Sequence, residues 1–205
     1  MNLYHRYIDV PFTYEKPFIF NEQPKSFINY VNKKYVKSEL TNWLKKFNLK
    51  ISNVVESFYT SKENKIFVPI HNDMTIKPGV NDAVKLNFTW GPKESTTRWW
   101  KIKKGAKFIE VIHDQNQINQ SLKEAGIIPD IKCDRCYSAN EDDVEMVYEK
   151  AIDRPSLLNV GQLHSTYNPN IKSDRWTLSF TLLHHNNSHV GFNEALKIFN
   201  GLLNE

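Results

Sequence analysis

The stretch Arg175–Leu183 (RWTLSFTLL) carries the clearest structural signal in this chain. Large apolar side chains fall on every second position, and the positions between them carry one arginine and three hydroxyl groups. Because successive side chains of a β-strand point to opposite faces of its sheet, this alternation predicts a strand with one apolar and one polar face. The apolar face holds Trp176, Leu178, Phe180 and Leu182, and the polar face holds Arg175, Thr177, Ser179 and Thr181.

Seven segments upstream are short, rich in β-branched and aromatic residues, and also predicted to be strands. They are Val54–Thr60, Lys65–Asp73, Val84–Trp90, Thr96–Ile102, Lys107–Ile112, Glu145–Ile152 and Ser156–Val160. Pro69 places the second of them at an edge or a bulge, because proline cannot donate to a sheet ladder. Most of these strands are separated by turns rather than helices, which favours a β-sandwich or barrel over a doubly wound parallel sheet.

Helical periodicity is found mainly towards the two ends of the chain. The predicted helices are Phe27–Val31, Leu40–Phe47, Gln117–Ala125 and Asn193–Leu203. We therefore expect a mainly β protein with flanking helices in a single domain over residues 1–205. Its predicted parts are helical cladding in residues 1–50, a β core over about residues 51–185 and a C-terminal helix in residues 190–205.

Composition narrows the class of protein. The chain has 205 residues, of which 40% are hydrophobic and 13% aromatic, and this excludes a disordered or fibrous protein. No apolar run reaches the roughly 18 residues of a membrane-spanning helix. The N-terminus also lacks the apolar stretch of a secretory signal, so we expect an intracellular, cytoplasmic protein without a membrane partner. A glycine-rich phosphate loop is absent, so nucleotide-dependent chemistry is not expected.

A candidate metal site begins at His71-Asn72-Asp73, at the end of a predicted strand. Residues two apart on an extended chain share a face, so His71 and Asp73 offer an imidazole and a carboxylate to one cation. His164, near a late strand, is positioned to supply a third ligand. Two histidines and one carboxylate are typical of the facial triad that binds Fe(II) and leaves coordination positions open.

Arg175 and Thr177 lie on one face of the late strand, where an inward arginine beside a hydroxyl group makes a clamp for a carboxylate. Each element of the site also has an ordinary explanation. The motif H-x-D is short and occurs by chance, and a single histidine such as His164 fits a turn or a hydrogen-bonded core position. Arg175 alone fits an ion pair with Asp174 or with a surface acid.

The order of these residues, H-x-D, then a distant histidine, then an arginine, resembles the signature of the Fe(II)/2-oxoglutarate-dependent dioxygenase superfamily. The resemblance spans about residues 55–183. The segments KLNFTWG…TTRWWKI and LLNVGQLHSTYN…DRWTLSF look like its phage and marine-microbial branch. It implies a double-stranded β-helix, or jelly-roll, core in one dioxygenase-like domain. The implied catalytic iron ligands are His71, Asp73 and His164, and the implied residues for the distal carboxylate of 2-oxoglutarate are Arg175 and Thr177.

A second cation is a candidate for the same carboxylate. Some branches of the superfamily use a lysine on the strand after H-x-D, and Lys85 occupies such a position. Lys85 alternates with Asn87, so both fit the interior, whereas most lysines extend to solvent. Tyr59 and Thr97 are further candidates for hydrogen bonds to the cosubstrate, with ordinary strand packing as the alternative for each.

The resemblance implies an oxidoreductase. It would be a hydroxylase that uses Fe(II), dioxygen and 2-oxoglutarate to hydroxylate a C–H bond, releasing succinate and CO2. The alternatives are a non-catalytic jelly-roll binding module and a cupin-like metalloprotein that does not use 2-oxoglutarate. A peptide side chain, a nucleobase and a small metabolite are all candidate substrates. The net charge of +4 leans slightly towards acidic partners, nucleic acid among them.

Three other features are predicted to be structural. Cys133 and Cys136 form one C-x-x-C without a second pair of zinc ligands, so we predict a loop turn. The histidines after the last strand match no metal-ligand spacing and are predicted at the surface; they are His184, His185 and His189. A run of lysines is predicted to be a solvated turn, with a contact for an acidic or nucleic-acid substrate as the alternative; it comprises Lys101, Lys103, Lys104 and Lys107.

Overall fold

The computed structural model describes residues 2–15, 26–30, 36–59, 70–73, 82–112, 135–167, 169 and 174–205. In these residues antiparallel strands dominate, with two α-helices, α1 (Ser38–Lys45) and α2 (Phe192–Ile198). The strands are β1 (His5–Ile8), β2 (Phe27–Tyr30), β3 (Leu49–Tyr59), β4 (Val84–Trp90), β5 (Thr96–Ile102), β6 (Ile109–Ile112), β7 (Arg135–Ser138), β8 (Val144–Lys150), β9 (Ser156–Asn159), β10 (His164–Tyr167), β11 (Arg175–His184) and β12 (Leu203–Asn204). The prediction of a mainly β protein with flanking helices is confirmed.

Seven strands form a large antiparallel sheet in the order β12-β1-β9-β4-β11-β3-β2. Strand β11 pairs along its length with β3 on one side and with β4 on the other. It is therefore enclosed within the sheet, and all of its residues except His184 are buried. The strand with the clearest alternation in the sequence thus lies near the middle of the largest sheet.

A smaller antiparallel sheet has the order β10-β5-β8, and a two-stranded ribbon joins β6 to β7. The short segment Ile70–Asp73 lies between these two units, because His71 forms β-bridges with both His164 and Ser138. The second layer of the fold therefore has the order β8-β5-β10, then Ile70–Asp73, then β7-β6.

The apolar face of β11 forms the main core with the two helices. Trp176, Leu178 and Phe180 are fully buried in this core. Apolar residues at the helical spacing of α1 cover the same face of the sheet, and the ring of Trp43 stacks on Phe199 with ring centroids 5.1 Å apart. The helix predicted over Leu40–Phe47 is confirmed by α1. Its apolar stripe packs against the large sheet.

The polar face of β11 is buried as well, and it faces the smaller sheet. Arg175 and Thr177 are 3% and 6% exposed. Together with Ser179 they line a cavity whose other walls come from strands of both sheets. The strand thus separates an apolar core from a polar interior.

Two predictions for the ends of the chain are wrong. Residues 1–50 are not only helical cladding, because β1 lies in the large sheet and Phe27–Tyr30, predicted as part of a helix, is the edge strand β2. Pairing with β3 satisfies the backbone there, and such tertiary pairing overrides weak local periodicity. The helix expected over residues 190–205 ends at Ile198 and is followed by a 3-10 turn and by β12, which pairs with β1. Asn200 and Gly201 are poor helix formers, which explains the early end.

Other predicted strands have the observed bounds or are longer in the structure than predicted. The bounds of β4 and β5 are those predicted, whereas β3 begins five residues earlier than the predicted Val54–Thr60. Strand β10 was not predicted as an element. Only Ile70–Asp73 of the predicted strand Lys65–Asp73 is described, and the predicted helix Gln117–Ala125 lies outside the described residues. Among the described residues no helix is long and apolar enough to cross a bilayer.

Neighbouring residues of β11 should respond very differently to truncation. Phe180→Ala should lower the free energy of unfolding by about 3–5 kcal/mol, because it empties a fully buried aromatic site. Ser179→Ala faces the cavity and should change it by less than about 1 kcal/mol. Equilibrium unfolding in urea measures both values. Equal effects at the two positions would contradict the assignment of the two faces.

Buried His5 should make the fold sensitive to acid. Its Nδ1 accepts a hydrogen bond from Asn2 Nδ2 at 3.0 Å, and burial, with the charges of Lys150 and Arg6, lowers its pKa to about 4. The unfolded chain takes up this proton near pH 6.5 and the folded chain only near pH 4. The free energy of unfolding should therefore fall as the pH drops through that window.

Denaturant unfolding at several pH values tests this expectation. His5→Gln should reduce the loss of stability between pH 6.5 and 4, whereas His184→Gln, a substitution at a partly exposed histidine, should leave the wild-type profile. Parallel pH profiles for wild type and His5→Gln would contradict the prediction.

Candidate metal centre

Two histidines face each other because their backbones are directly paired. His71 N–H donates to the carbonyl of His164 at 3.0 Å, and His164 N–H donates to the carbonyl of His71 at 2.7 Å. Residues that exchange both hydrogen bonds in an antiparallel pair lie opposite each other, with side chains on the same face. The two imidazole centroids are accordingly 4.7 Å apart.

Asp73 joins these histidines from two residues further along the chain. Its N–H donates to the carbonyl of Val160 at 3.0 Å, which keeps the segment extended and turns Asp73 to the face of His71. Asp73 Oδ1 lies 2.9 Å from His71 Nε2 and 3.8 Å from His164 Nε2. Two ligand atoms at right angles on a metal, each about 2.1 Å from it, are about 3 Å apart. The three side chains are therefore close to the spacing of a metal site.

The intervening residue anchors the segment from its other side. Asn72 N–H donates to the carbonyl of Tyr137 at 2.9 Å, and the Tyr137 N–H donates to Asn72 Oδ1 at 2.7 Å. Asn72 is buried and points away from the two ligands. In the sequence H-N-D, His71 and Asp73 thus face the candidate site, whereas Asn72 binds β7.

The ionisation of His164 and Asp73 suits a cation. His164 Nδ1 lies 2.9 Å from the carbonyl of Gln162, so this nitrogen carries the proton and Nε2 is left as an acceptor. Burial lowers the pKa of His164 to about 4, which keeps the imidazole neutral near pH 7. Burial would raise the pKa of Asp73, but Lys85 and the histidines hold it well below its usual range. Imidazole nitrogens and a carboxylate are a donor set for a first-row divalent metal.

Lys85 is drawn into the site. Its ammonium group lies 2.7 Å from Asp73 Oδ2, and the residue is 9% exposed. The alternative of a lysine that extends to solvent is therefore wrong. Strand β4 places Lys85 and Asn87 on the face that lines the cavity.

Arg175 is buried, and no carboxylate among the described residues is its partner. Its Nη1 donates to Ser95 Oγ at 3.3 Å and to the carbonyl of Thr96 at 3.1 Å, and its Nη2 donates to Thr97 Oγ1 at 3.2 Å. Its Nε has no hydrogen-bond partner among the described residues. Arg175 also forms no ion pair with any described carboxylate, Asp174 included. Burial lowers the pKa of Arg175 only to about 10, so it stays charged at neutral pH.

All of the predicted site residues line one cavity of about 120 Å³ between the two sheets. They are His71, Asp73, His164, Arg175, Thr177, Lys85, Tyr59 and Thr97. Tyr59 is buried, which raises the pKa of its hydroxyl to about 12, and it hydrogen-bonds with Ser57 and Thr166. The Thr177 hydroxyl lies 3.4 Å from that of Thr89. Residues separated by more than 100 positions in the sequence are thus brought together.

Some residues of the cavity were not identified from the sequence. Ser57 and Thr166 lie two residues from Tyr59 and His164 on the same strand faces, so the period of two was the available signal. Gly91 directly follows the last residue of β4. A Cβ at Gly91, where φ is +154°, would lie 3.1 Å from the Cα of Arg175, so glycine permits this close approach.

The other predicted features lie apart from the cavity lining. Cys136 is in β7 rather than in a turn, and Cys133 lies outside the described residues. His184 Nε2 lies 3.1 Å from Glu194 Oε1, at the end of β11 opposite to Arg175. In the described part of the chain, the His71, Asp73 and His164 group alone has three ligand side chains close enough for a metal ion.

No protein-family model, curated protein or solved structure matches this chain. The geometry of the chain itself therefore defines the class of protein. It is a mainly β, antiparallel protein with a His-Asp-His group that could hold a metal ion.

The site should bind a divalent metal through His71. His71→Ala removes one ligand but keeps the ion pair between Asp73 and Lys85, so the fold around the site should survive. We expect Mn(II) affinity, measured by isothermal titration calorimetry, to fall at least about 100-fold. His184→Ala, which removes a histidine outside the cavity, should bind Mn(II) like wild type. Equal affinity in wild type and His71→Ala would contradict the site.

Proposed function

We propose that this protein is an Fe(II)- and 2-oxoglutarate-dependent dioxygenase that hydroxylates a C–H bond and releases succinate and CO2. One observation carries the proposal. A buried arginine with no carboxylate partner among the described residues lines the same cavity as a His-Asp-His group. A metal site beside a cationic group is suited to a small ligand that has one end for the metal and a carboxylate at the other.

The strand order supports a jelly-roll core for this proposal. Strands β9-β4-β11-β3 of the large sheet face the order Ile70–Asp73, β10, β5, β8. In chain order the eight segments alternate between the sheets, except that β5 and β8 are consecutive in the smaller one. Four strands of the large sheet that face three strands and one bridged segment, linked in this way, are expected for a double-stranded β-helix, and this supports the proposed core. The ribbon β6-β7 would be an insertion between β5 and β8.

In the proposed mechanism His71, Asp73 and His164 would hold the metal. Bound Fe(II) with 2-oxoglutarate supplies the oxidising chemistry, and the protein orients the reactants and limits water. His164, which burial keeps neutral near pH 7, and the ionised Asp73 would be donors to that metal. Tyr59 and Thr177 add hydroxyl groups to the cavity wall.

Arg175 rather than Lys85 is proposed to hold the distal carboxylate. The ammonium group of Lys85 already touches Asp73, so it lies at the metal end of the cavity. Lys85 pairs in register with Thr181, six residues from Arg175 along β11, which is roughly 20 Å of extended chain. The Arg175 guanidinium therefore approaches the cavity from its other end.

The alternatives leave Arg175 without a role. A metal site that does not bind 2-oxoglutarate, or a binding module without turnover, gives no reason for a charged group that is 3% exposed. Burying an arginine without a counterion is costly, and a ligand carboxylate would remove that cost. Asn87 Oδ1, also buried and without a partner among the described residues, adds a second polar atom for a ligand.

Anaerobic titration with Fe(II) and 2-oxoglutarate tests the proposal. Wild type should develop the weak visible charge-transfer band of a metal-chelated keto acid. Arg175→Ala should need at least about 30-fold more 2-oxoglutarate to reach the same band, because it loses a buried charge pair, while still binding Fe(II). Arg154→Ala, which removes an exposed arginine, should match wild type.

Two results would count against this function. Iron binding without the band in wild type would leave a metal-binding protein that does not use 2-oxoglutarate. Equal loss of iron and 2-oxoglutarate binding in Arg175→Ala would show that Arg175 supports the fold rather than the cosubstrate.

A further inference from the structure

Four aromatic side chains form one row across the second layer of the fold. Tyr148 of β8 pairs in register with Trp99 of β5, and Trp99 pairs with His164 of β10. His164 in turn pairs with His71. Opposed residues of antiparallel strands have their side chains on the same face. Because neighbouring strands are about 4.8 Å apart, the row spans roughly 14 Å from the candidate metal centre to Tyr148.

The middle of the row is Trp99, which lies beside a candidate metal ligand. The N–H and the carbonyl of His164 both bond to His71, so the pair of His164 and Trp99 is of the non-hydrogen-bonded kind. Opposed side chains approach most closely in such a pair. Trp99 is fully buried in a cluster with Leu158 and Val160, and these two residues line the cavity. Trp99 is therefore held directly behind the cavity wall.

The outer end of the row is a stack of aromatic rings. The ring centroid of Trp99 lies 5.6 Å from that of Tyr148 and 5.9 Å from that of Tyr4. The two tyrosine rings stack on each other with their centroids 5.3 Å apart. Both tyrosines are half-buried. The row thus runs from the cavity wall to rings that solvent reaches.

A buried imidazole lies against the hydroxyl group of Tyr148, with His5 Nδ1 3.1 Å from Tyr148 Oη. Asn2 Oδ1 accepts the backbone N–H groups of Tyr4 at 2.9 Å and of His5 at 3.4 Å. The amide nitrogen of Asn2 is therefore the atom that donates to His5 Nδ1 at 3.0 Å. His5 Nδ1 is thus the unprotonated nitrogen of the ring, and the hydroxyl of Tyr148 donates to it.

The ionisation of this pair allows the proton to move once the phenol is oxidised. Burial raises the pKa of Tyr148, although Asn2 and Arg6 act in the opposite direction, so the phenol keeps its proton near pH 7. Burial, with the charges of Lys150 and Arg6, lowers the pKa of His5 to about 4, so its imidazole is neutral. An oxidised phenol is a far stronger acid than an imidazolium, so His5 can take the proton and later return it.

We propose that Tyr148 is a redox-active tyrosine that supplies one electron through Trp99 to the oxidised metal centre and one proton to His5. Trp99 loses one electron to that centre, and Tyr148 replaces it. The O–H bond of Tyr148 breaks and its proton moves to His5 Nδ1, which leaves a neutral tyrosyl radical and an imidazolium. A one-electron reductant in solution, such as ascorbate, restores the electron, and His5 restores the proton.

This relay gives an unused oxidising equivalent a path out of the cavity. The inference rests on the proposed function, in which the metal centre reacts with dioxygen. When that reaction takes place without a substrate, the side chains that line the cavity are the nearest groups to be damaged. The row moves the oxidation to Tyr148, where a reductant from solution has access.

Freeze-quench electron paramagnetic resonance of the Fe(II)-loaded protein without substrate tests the relay. One sample receives dioxygen and 2-oxoglutarate, and the other receives only hydrogen peroxide, which reacts with bound iron without 2-oxoglutarate. Wild type should give a neutral tyrosyl radical in both samples, and Tyr148→Phe should lose it. Tyr167→Phe should keep the signal, because this half-buried tyrosine lies on the opposite face of the same sheet, next to the cavity-lining Thr166. His71→Ala should lose the signal, because the oxidant forms at the metal centre.

Two further variants test the path of the electron and of the proton. Trp99→Phe keeps an aromatic ring but removes the easily oxidised indole, so the radical should be lost. His5→Gln keeps an acceptor for the Tyr148 hydroxyl but has no base to take the proton, so the radical should again be lost. In any residual signal the largest g value at high field should shift, because it reports the hydrogen bond to the radical oxygen. Thermal unfolding identifies the folded variants, and Tyr148→Phe, which removes one oxygen atom, decides the outcome if Trp99→Phe does not fold.

The outcomes separate this inference from the proposed function. A Tyr148 radical with peroxide but not with dioxygen and 2-oxoglutarate supports the relay and contradicts the proposed function. No radical in wild type with either oxidant, or a radical that folded Tyr148→Phe retains, overturns the relay. The charge-transfer band of the chelated keto acid then decides the proposed function independently. A signal unchanged in folded Trp99→Phe and His5→Gln also overturns the relay.

Discussion

Strand β11 is buried on both faces, and the two faces have opposite chemistry. Its apolar side chains pack under α1 and α2, where they form the centre of the main core. Its other face presents Arg175, Thr177 and Ser179, each at most 9% exposed, to the smaller sheet. Polar groups removed from water need partners, so the two sheets cannot close on this face with apolar packing. A polar cavity between the sheets is the consequence.

The cavity divides its functional groups between the two sheets. The candidate metal ligands come from Ile70–Asp73 and β10 on the smaller layer, whereas the cations Lys85 and Arg175 come from adjacent strands of the large sheet. Cross-layer contacts fix the distance between these sets. Asp73 N–H donates to the carbonyl of Val160 at 3.0 Å, and the Trp99 indole N–H donates to the carbonyl of Asn159 at 2.9 Å.

The local hydrophobic pattern predicted the strands whose alternation is visible within a single segment of the sequence. The alternation in Val84–Trp90, Thr96–Ile102 and Arg175–Leu183 is the period of a strand, and each became one. Strand β2 and strand β10 are four residues long, too short for a clear period, and they exist because β3 and β5 offer backbone partners. Partners of this kind are distant in sequence, so the local pattern could not reveal them.

The candidate site likewise combines pairs that a single segment predicts with contacts between segments that are distant in the sequence. The period of two places His71 beside Asp73, and Arg175 beside Thr177, from sequence alone. The contact between Lys85 and Asp73 joins β4 to a segment of the other layer, and nothing in either sequence neighbourhood indicates it.

The contact between Lys85 and Asp73 determines which charges in the site are balanced. Two histidines and one carboxylate suggest a site whose negative charge attracts a cation. The ammonium of Lys85, however, balances the charge of Asp73. The unbalanced charge lies instead on Arg175, which has no carboxylate partner among the described residues. Among the described residues that line the cavity, the two cations Lys85 and Arg175 outnumber the one carboxylate, so an anion is the ligand that this arrangement of charges favours.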